Sequence, residues 1–330
     1  MFHIAAHTIF KPFSTHERNS NQMKKILVVT YSQSGQLNDI VNNVINEFGN
    51  DVEIVIENLQ PDPPFPFPWT DVAFWDAMPN AVDLIPTKLK PFSFNPEDDF
   101  DLVILGYPIW FLSPAIPITS FLKSPEASKV MNGKPIVTII GSRNMWVNAQ
   151  EDIKKMILTN GAKLVGNIVL RDKANNLASV VTIIYWMMTA KKDRLWGIFP
   201  KPGISDIDIA EAKRFGKPVY EALKKGDFKD LQNKLLELGS VDLVPNVVFM
   251  ELRAKIFFRK WSRFIRKNGE HGDPNRIGRL KIFKWYLLIA IFVASPIAII
   301  LFYLFLPLTW WSFRKKLSYF KGVDLKTELI

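Results

Sequence analysis

Cysteine is absent from the 330 residues, and histidine occurs only at His3, His7, His16 and His271. Without thiols there is no disulfide framework, no iron–sulfur or Cys-ligated zinc site and no thiolate nucleophile. Residues 17–270 contain no histidine, which excludes a Ser-His-Asp triad or a His-ligated catalytic metal there. No metal site is expected, and an enzyme built on this chain would leave the hard chemistry to a cofactor. Acidic residues are scarce in one region alone. Residues 23–240 carry 24 basic and 25 acidic side chains, whereas residues 241–330 carry 16 and 6, so the excess behind the net charge of +10 is C-terminal.

Short β-branched runs alternate with helical spacing from Lys25 onward. Ile26–Thr30, Val52–Ile56, Asp101–Leu105, Pro135–Ile140 and Lys163–Leu170 read as five strands. Gln36–Phe48, Ile116–Leu122, Ala149–Asn160 and Asp206–Lys224 read as helices. Strands apolar on both faces and separated by helices predict an α/β domain with a doubly wound parallel sheet over residues 23–240. Two insertions interrupt it. The first, 58–98, holds nine prolines with Phe65, Phe67, Trp69, Phe74 and Trp75, which predicts an irregular flap. The second, 174–203, holds the apolar run Val180–Met188, too short to cross a bilayer and readable as a buried helix or as a lid over a ligand. Residues 1–22 lack periodicity and a signal-peptide pattern; a disordered extension is expected, with Met23 as a natural start.

Residues 241–284 predict a basic amphipathic helix and a linker. Met250, Ala254, Phe257, Trp261 and Phe264 recur at helical spacing, with Arg253, Arg259, Lys260, Arg263, Arg266 and Lys267 largely between them, as suits a membrane interface. Residues 285–313 carry no charge. As helix they cover roughly 43 Å, more than the roughly 30 Å hydrocarbon core. Trp285, Tyr286, Trp310 and Trp311 mark its ends, and a basic tail, 314–330, follows. Flanking charge is balanced and Ser295-Pro296 lies mid-segment, so a span and a re-entrant hairpin both remain open.

Ser32-Gln33-Ser34-Gly35-Gln36 sits between the first strand and first helix. A hydroxyl-rich turn with glycine at a helix N-terminus offers N–H and O–H groups to an anion. It matches neither a dinucleotide fingerprint nor a P-loop, and a phosphate monoester suits it. The third strand runs into Pro108-Ile109-Trp110-Phe111 and the fourth into Gly141-Ser142-Arg143-Asn144-Met145-Trp146. These three strand ends share the rim where open α/β sheets bind ligands. A flat ring bearing a ribityl phosphate fits there.

ILVVTYSQSGQL (Ile26–Leu37) with LVILGYPIW (Leu102–Trp110) resembles the flavodoxin-like family of FMN-binding proteins over about residues 24–225. The resemblance implies strand order 2-1-3-4-5, phosphate binding by Ser32, Gln33, Ser34, Gly35 and Gln36, and an isoalloxazine bordered by Pro108–Phe111 and Ser142–Trp146. It departs at Leu37, where the family has Thr or Ser. PFPFPW (Pro64–Trp69), GYPIWFLSP (Gly106–Pro114), GSRNMW (Gly141–Trp146) and KKDRLWGIFPKPG (Lys191–Gly203) are similar to bacterial proteins labelled dialkylresorcinol condensing enzymes, of dialkylresorcinol and aryl-polyene pigment biosynthesis. A ketosynthase-type condensation needs Cys and His, which this chain lacks. The aromatase step implied by the resemblance, FMN-dependent oxidation of a dialkyl cyclohexane-1,3-dione, fits better. Arg143 is the candidate for stabilising the enolate and Asn144 for donating a hydrogen bond, with Lys173 behind them. The expected partners are a lipid-like substrate and a membrane, with the domain on the cytoplasmic side of an inner membrane, and not nucleic acid; a homodimer is compatible with the sequence. A membrane-anchored NAD(P)H quinone reductase and an electron carrier or flavin-free scaffold are the alternatives.

Overall fold

The computed structural model describes residues 23–326; the expected disordered extension, 1–22, and residues 327–330 lie outside them. The strands are β1 (Lys24–Thr30), β2 (Val52–Asn58), β3 (Leu102–Trp110), β4 (Ser113–Pro114), β5 (Pro135–Ser142) and β6 (Lys163–Arg171). Five lie parallel in the order β2-β1-β3-β5-β6, and the two-residue β4 folds back antiparallel on β3. With β4 set aside, this is the 2-1-3-4-5 order of the flavodoxin-like fold. A side-chain period of two sends consecutive residues of each strand to opposite faces. Leu27, Val29, Val103 and Leu105 therefore enter one core, and Ile26, Val28, Leu102 and Ile104 the other. A sheet covered on both faces favours apolar side chains at nearly every position, which is why its inner strands read as nearly unbroken runs, whereas the edge strand β2 carries the exposed Glu53.

The helices are α1 (Gln36–Ile45), α2 (Asp71–Val82), α3 (Ile116–Leu122), α4 (Pro125–Met131), α5 (Val147–Thr159), α6 (Asn176–Thr189), α7 (Asp206–Ala210), α8 (Gly216–Lys225), α9 (Leu231–Glu237), α10 (Pro245–Arg266), α11 (Ile277–Ile289) and α12 (Ser295–Lys321). The first insertion is not wholly irregular, because α2 forms inside it. Five of its prolines cluster at 61–68; the interval after them is nearly proline-free and opens on Thr70, whose hydroxyl accepts from Ala73 N. Pro79 is tolerated because tertiary packing outweighs one lost helical bond. Trp75, Met78 and Val82 pack against Phe258, Ile265 and Phe283. The single helix expected over Asp206–Lys224 is divided by a 3-10 turn at Glu211–Phe215, which brings Gly216 so close to α1 that a Cβ there would lie 2.2 Å from the Val44 carbonyl oxygen.

Helix α10 turns a second face to the domain. Besides the predicted stripe, in which Phe257 and Phe264 are exposed, it buries Glu251, Lys255, Phe258, Ser262 and Ile265. Each polar member finds a partner, as burial requires. Lys255 Nζ donates to Asp152 Oδ2 at 2.6 Å and Ser262 Oγ to Asp83 Oδ2 at 2.6 Å. From Pro274 to Lys321 the chain is one helical run, long and apolar enough to cross a membrane. It does not reverse at Ser295-Pro296. A π-turn at Ala290–Ala294 precedes that pair, and this local change of hydrogen-bonding pattern lets the helix continue past Pro296, which lacks an N–H.

Two tests follow from this packing. Lys255→Met leaves Asp152 buried without its cation and lowers stability by about 3–5 kcal/mol, read from denaturant unfolding in detergent. His271, part-exposed, lies 2.7 Å from Asp76 Oδ2, and that contact raises the imidazole above its ordinary 6.5. Its contribution is thus full below 6.5 and fades as pH rises through the raised value. The melting-temperature gap between the wild type and His271→Ala is therefore wider at about pH 5 than at about pH 8.

Candidate functional site

A cavity of about 240 Å³ opens at the carboxyl ends of β1, β3 and β5. The turn after β1 forms its floor. Gly35 adopts φ +84°, a left-handed conformation that other residues enter at a cost of roughly 1–2 kcal/mol. Among the described residues, the N–H groups of Ser32, Gln33, Ser34, Gly35 and Gln36 find no backbone acceptor. Ser32 Oγ accepts from Leu37 N at 3.3 Å. Leu37 itself is a core residue, buried beside Ile40 and Val41, so the departure at this position trades a hydroxyl for packing.

The glutamines at 33 and 36 turn their amides elsewhere. Gln33 Nε2 donates to the carbonyls of Phe65 and Pro66, at 3.3 and 2.8 Å, and its Oε1 accepts from Tyr31 OH. Gln36 clasps Ile204, donating to its carbonyl and accepting from its N–H, both at 3.0 Å. Each insertion is thereby pinned to the turn. Gly203 fits between Trp186 and Gln36 only for want of a side chain: a Cβ would sit 2.6 Å from Trp186. What the turn leaves without a backbone partner among the described residues is therefore its N–H groups, beside the hydroxyls of Ser32 and Ser34.

Pro108, Ile109, Trp110 and Phe111 form one wall. β3 runs on to Trp110 and turns tightly through Phe111 and Leu112, both at positive φ (49° and 64°), a strained conformation for non-glycine residues. Lys255 holds this turn, donating to Leu112 O at 3.1 Å and Ser113 Oγ at 2.9 Å. Trp110 meets Trp69, Phe65 and Tyr31 edge-on at 5.3, 5.0 and 5.7 Å. α6 closes the top with Ile183, Ile184, Trp186 and Met187. The second insertion is thus a half-buried helix roofing the cavity, which joins the two readings offered for it.

Gly141, Ser142 and Arg143 line the opposite wall. Arg143 Nη1 donates to Asn176 O (3.1 Å), Asn176 Oδ1 (2.9 Å) and Ser179 Oγ (2.9 Å). Burial pulls its pKa down to about 10 against the opposing pull of Asp172, so the guanidinium stays charged at neutral pH. Burial likewise raises the Asp172 carboxyl, opposed by the Ala174 N–H and Arg143. Asn144 Nδ2 donates to Asn176 Oδ1, the atom that serves Arg143. Asn144 therefore positions Arg143 through Asn176 rather than offering that donor to a ligand. Lys173 pairs with Asp208 outside the cavity lining.

Arg143 also faces a second cavity of about 500 Å³, which shares Phe74, Ile109, Phe111, Ile183 and Ile184 with the first. Asn144 and Met145 belong here, together with Phe249, Met250, Phe257, Tyr286, Leu287 and Ile291. Trp146 lies in neither cavity; it is buried in the core, because the chain turns inward there to begin α5. Glu251, which the sequence reading did not single out, receives the start of that helix. Its carboxylate accepts from Trp146 N at 3.1 Å and Asn148 N at 2.8 Å. Burial pushes its pKa up to about 7, opposed by those N–H groups. It is the one acidic residue in 243–269, a signal that was available.

No protein-family model matches the chain, and no curated protein matches it. Among solved structures it is similar to a flavoprotein from Lactobacillus acidophilus NCFM crystallised in complex with FMN, at 15% identity over 44% of this chain and 93% of that one, TM-score 0.37. It is also similar to a flavodoxin from the domain Archaea, at 14% identity over 61% and 99%, TM-score 0.35. The fold rests on the strand order described above.

The clasp on Ile204 can be tested directly. Gln36→Ala leaves the Ile204 N–H and C=O unpaired, at a cost of about 1–3 kcal/mol, and frees the 190–204 segment. Limited trypsin digestion is expected to nick the variant faster at Lys191, Lys192 or Arg194; an unchanged rate would show that the clasp holds nothing.

Proposed function

We propose that the protein is an FMN-dependent oxidoreductase acting at a membrane on a ring with alkyl chains, converting a dialkyl cyclohexane-1,3-dione to a dialkylresorcinol. The observation carrying this reading is the charged Arg143 set in the wall between an aromatic cavity and a larger apolar one. The residues fit the cofactor. Backbone N–H groups at 32–36 are available to a phosphate, and Gly35 leaves open space where a Cβ would stand. The buried Ser142 Oγ and Asn144 Oδ1, both beside the cavity walls, have no protein partner among the described residues.

Ser32, Ser34 and the turn backbone would hold the phosphate, and Trp110, Phe111 and Ser142 would border the ring system. When bound, FMN supplies the hydride acceptor for loss of two hydrogens from the dione. The C–H flanked by two carbonyls is already acidic, so the chain need not provide a tuned base. Arg143 holds the oxygen on which negative charge grows, and its bonds to Asn176 and Ser179 fix it before the reaction, which is where such a donor gains its effect. The insertions exclude water above the ring. Tautomerisation of the oxidised ring completes the resorcinol, and the second cavity takes an alkyl chain.

The test is the visible spectrum of the detergent-purified protein followed by addition of a dialkyl cyclohexanedione with oxygen. A yellow protein that forms the resorcinol supports the reading. A colourless protein that FMN cannot reconstitute defeats it, and NADPH oxidation by quinone with the dione untouched makes it a quinone reductase. Arg143→Ala is expected to retain flavin absorbance while turnover falls about 10²–10³-fold.

A further inference from the structure

We infer that the apolar helical run does not cross the bilayer: it lies within one leaflet and presses a single face of the protein onto an anionic membrane. The inference rests on the membrane association proposed above, and it comes from what holds the two ends of the run.

At its start, Arg276 is fully buried, with Nε 3.2 Å from Asp76 Oδ1. Lys284 reaches Asp71 Oδ1 at 2.7 Å, and Phe283 packs under Trp75 at 5.9 Å. At its far end, Tyr319 OH donates to the buried Glu151 at 2.5 Å. Lys154 Nζ donates to Asp324 O at 3.1 Å, and Gln232 Nε2 to Lys321 O at 2.8 Å. One anchor is on α2 and the other on α5 and α9, all parts of one polar folded body. A spanning helix places its ends on opposite sides of roughly 30 Å of hydrocarbon. To span, the chain would have to break one anchor and strand Asp76 or Glu151 without its buried partners.

Between the anchors the run follows α10, with Phe302 against Phe249 at 4.8 Å. Phe302 and Phe313 then meet at 5.5 Å across Pro307. Eleven residues of straight helix advance about 16.5 Å, so the run bends at the proline and returns to the domain. The outward side chains stay bare: Ile300 is 68% exposed, Leu304 67%, Leu308 82% and Trp311 76%. No acidic residue occurs between Asp273 and Asp324, while Lys281, Arg314, Lys315 and Lys316 flank the apolar surface, and Arg259, Lys260 and Arg263 extend the charge along α10. An apolar face rimmed by cations matches one leaflet with anionic headgroups.

The absence of cysteine makes topology directly readable. Asn275→Cys and Ser318→Cys tag exposed positions at the two ends, and Lys217→Cys tags the domain on α8. In sealed inverted membrane vesicles from a bacterial host, all three are expected to react alike with a membrane-impermeant maleimide before detergent is added. The purified chain is expected to float with phosphatidylglycerol vesicles. If one end matches Lys217→Cys and the other reacts only after detergent, the helix spans and the inference fails. A chain that does not float, or that pairs in buffer through this face, overturns the membrane association together with the inference. A chain that floats and labels alike but leaves the dione untouched loses the proposed chemistry and keeps this topology.

Discussion

Glu251 and Lys255, one turn apart on α10, hold both loops that shape the cavities. The Glu251 carboxylate receives the N–H groups where the β5 loop becomes α5, and the Lys255 ammonium fixes the strained turn that presents Trp110 and Phe111. Charges buried this deeply are tolerated only when fully partnered, and here the partners are the backbone of the site and Asp152. The C-terminal helices are thus part of the α/β domain's construction. Removing them would unfasten two of the three strand ends that meet at the cavity.

The sheet was legible because its physical constraint is simple. A strand covered on both faces is apolar nearly throughout, and the runs showed it, with Glu53 on the edge strand β2 and the buried Asn167 on β6 among the exceptions. The tight β3–β4 turn was not legible: Phe111 and Leu112 are poor turn formers, and the turn they make at positive φ is hydrogen-bonded by Lys255 from a helix more than a hundred residues away. Helix α2 was hidden by counting prolines over the whole insertion instead of noting where they cluster. On α10 the apolar stripe was visible, while the face that docks on the domain, with Glu251, Lys255 and Ser262, looked like solvent-facing polarity. Periodicity cannot separate a solvated charge from one with a buried partner.

The site was half legible. Strand-end position pointed to residues 32–36, 108–111 and 141–146; of these, 32–34, 36, 108–111 and 141–143 line the first cavity, Gly35 caps the helix behind it, and Asn144 and Met145 line the second cavity instead. The loop continuing to Trp146 was read one step too far, since the chain dives into the core there. Trp69, Phe74 and Trp186 come from the insertions and Ile204 from the residue just after the second, and nothing local says that segments so distant in the chain converge over one rim. The side-chain amides of Gln33 and Gln36 are taken up by Phe65, Pro66 and Ile204, acceptors far away in the chain that nothing local reveals, while their backbone N–H groups have no backbone acceptor among the described residues.

Those two glutamines act as latches. One fastens the proline-rich segment and the other the segment at Ile204, and both are rooted in the turn that would cradle a phosphate. For the phosphorylated ligand proposed above, each cover shares a hydrogen bond with the turn at its cradle, so lifting either cover would pull on the cradle itself. Retention of that ligand would then depend on how often these amide contacts open as well as on the grip of the turn on its phosphate.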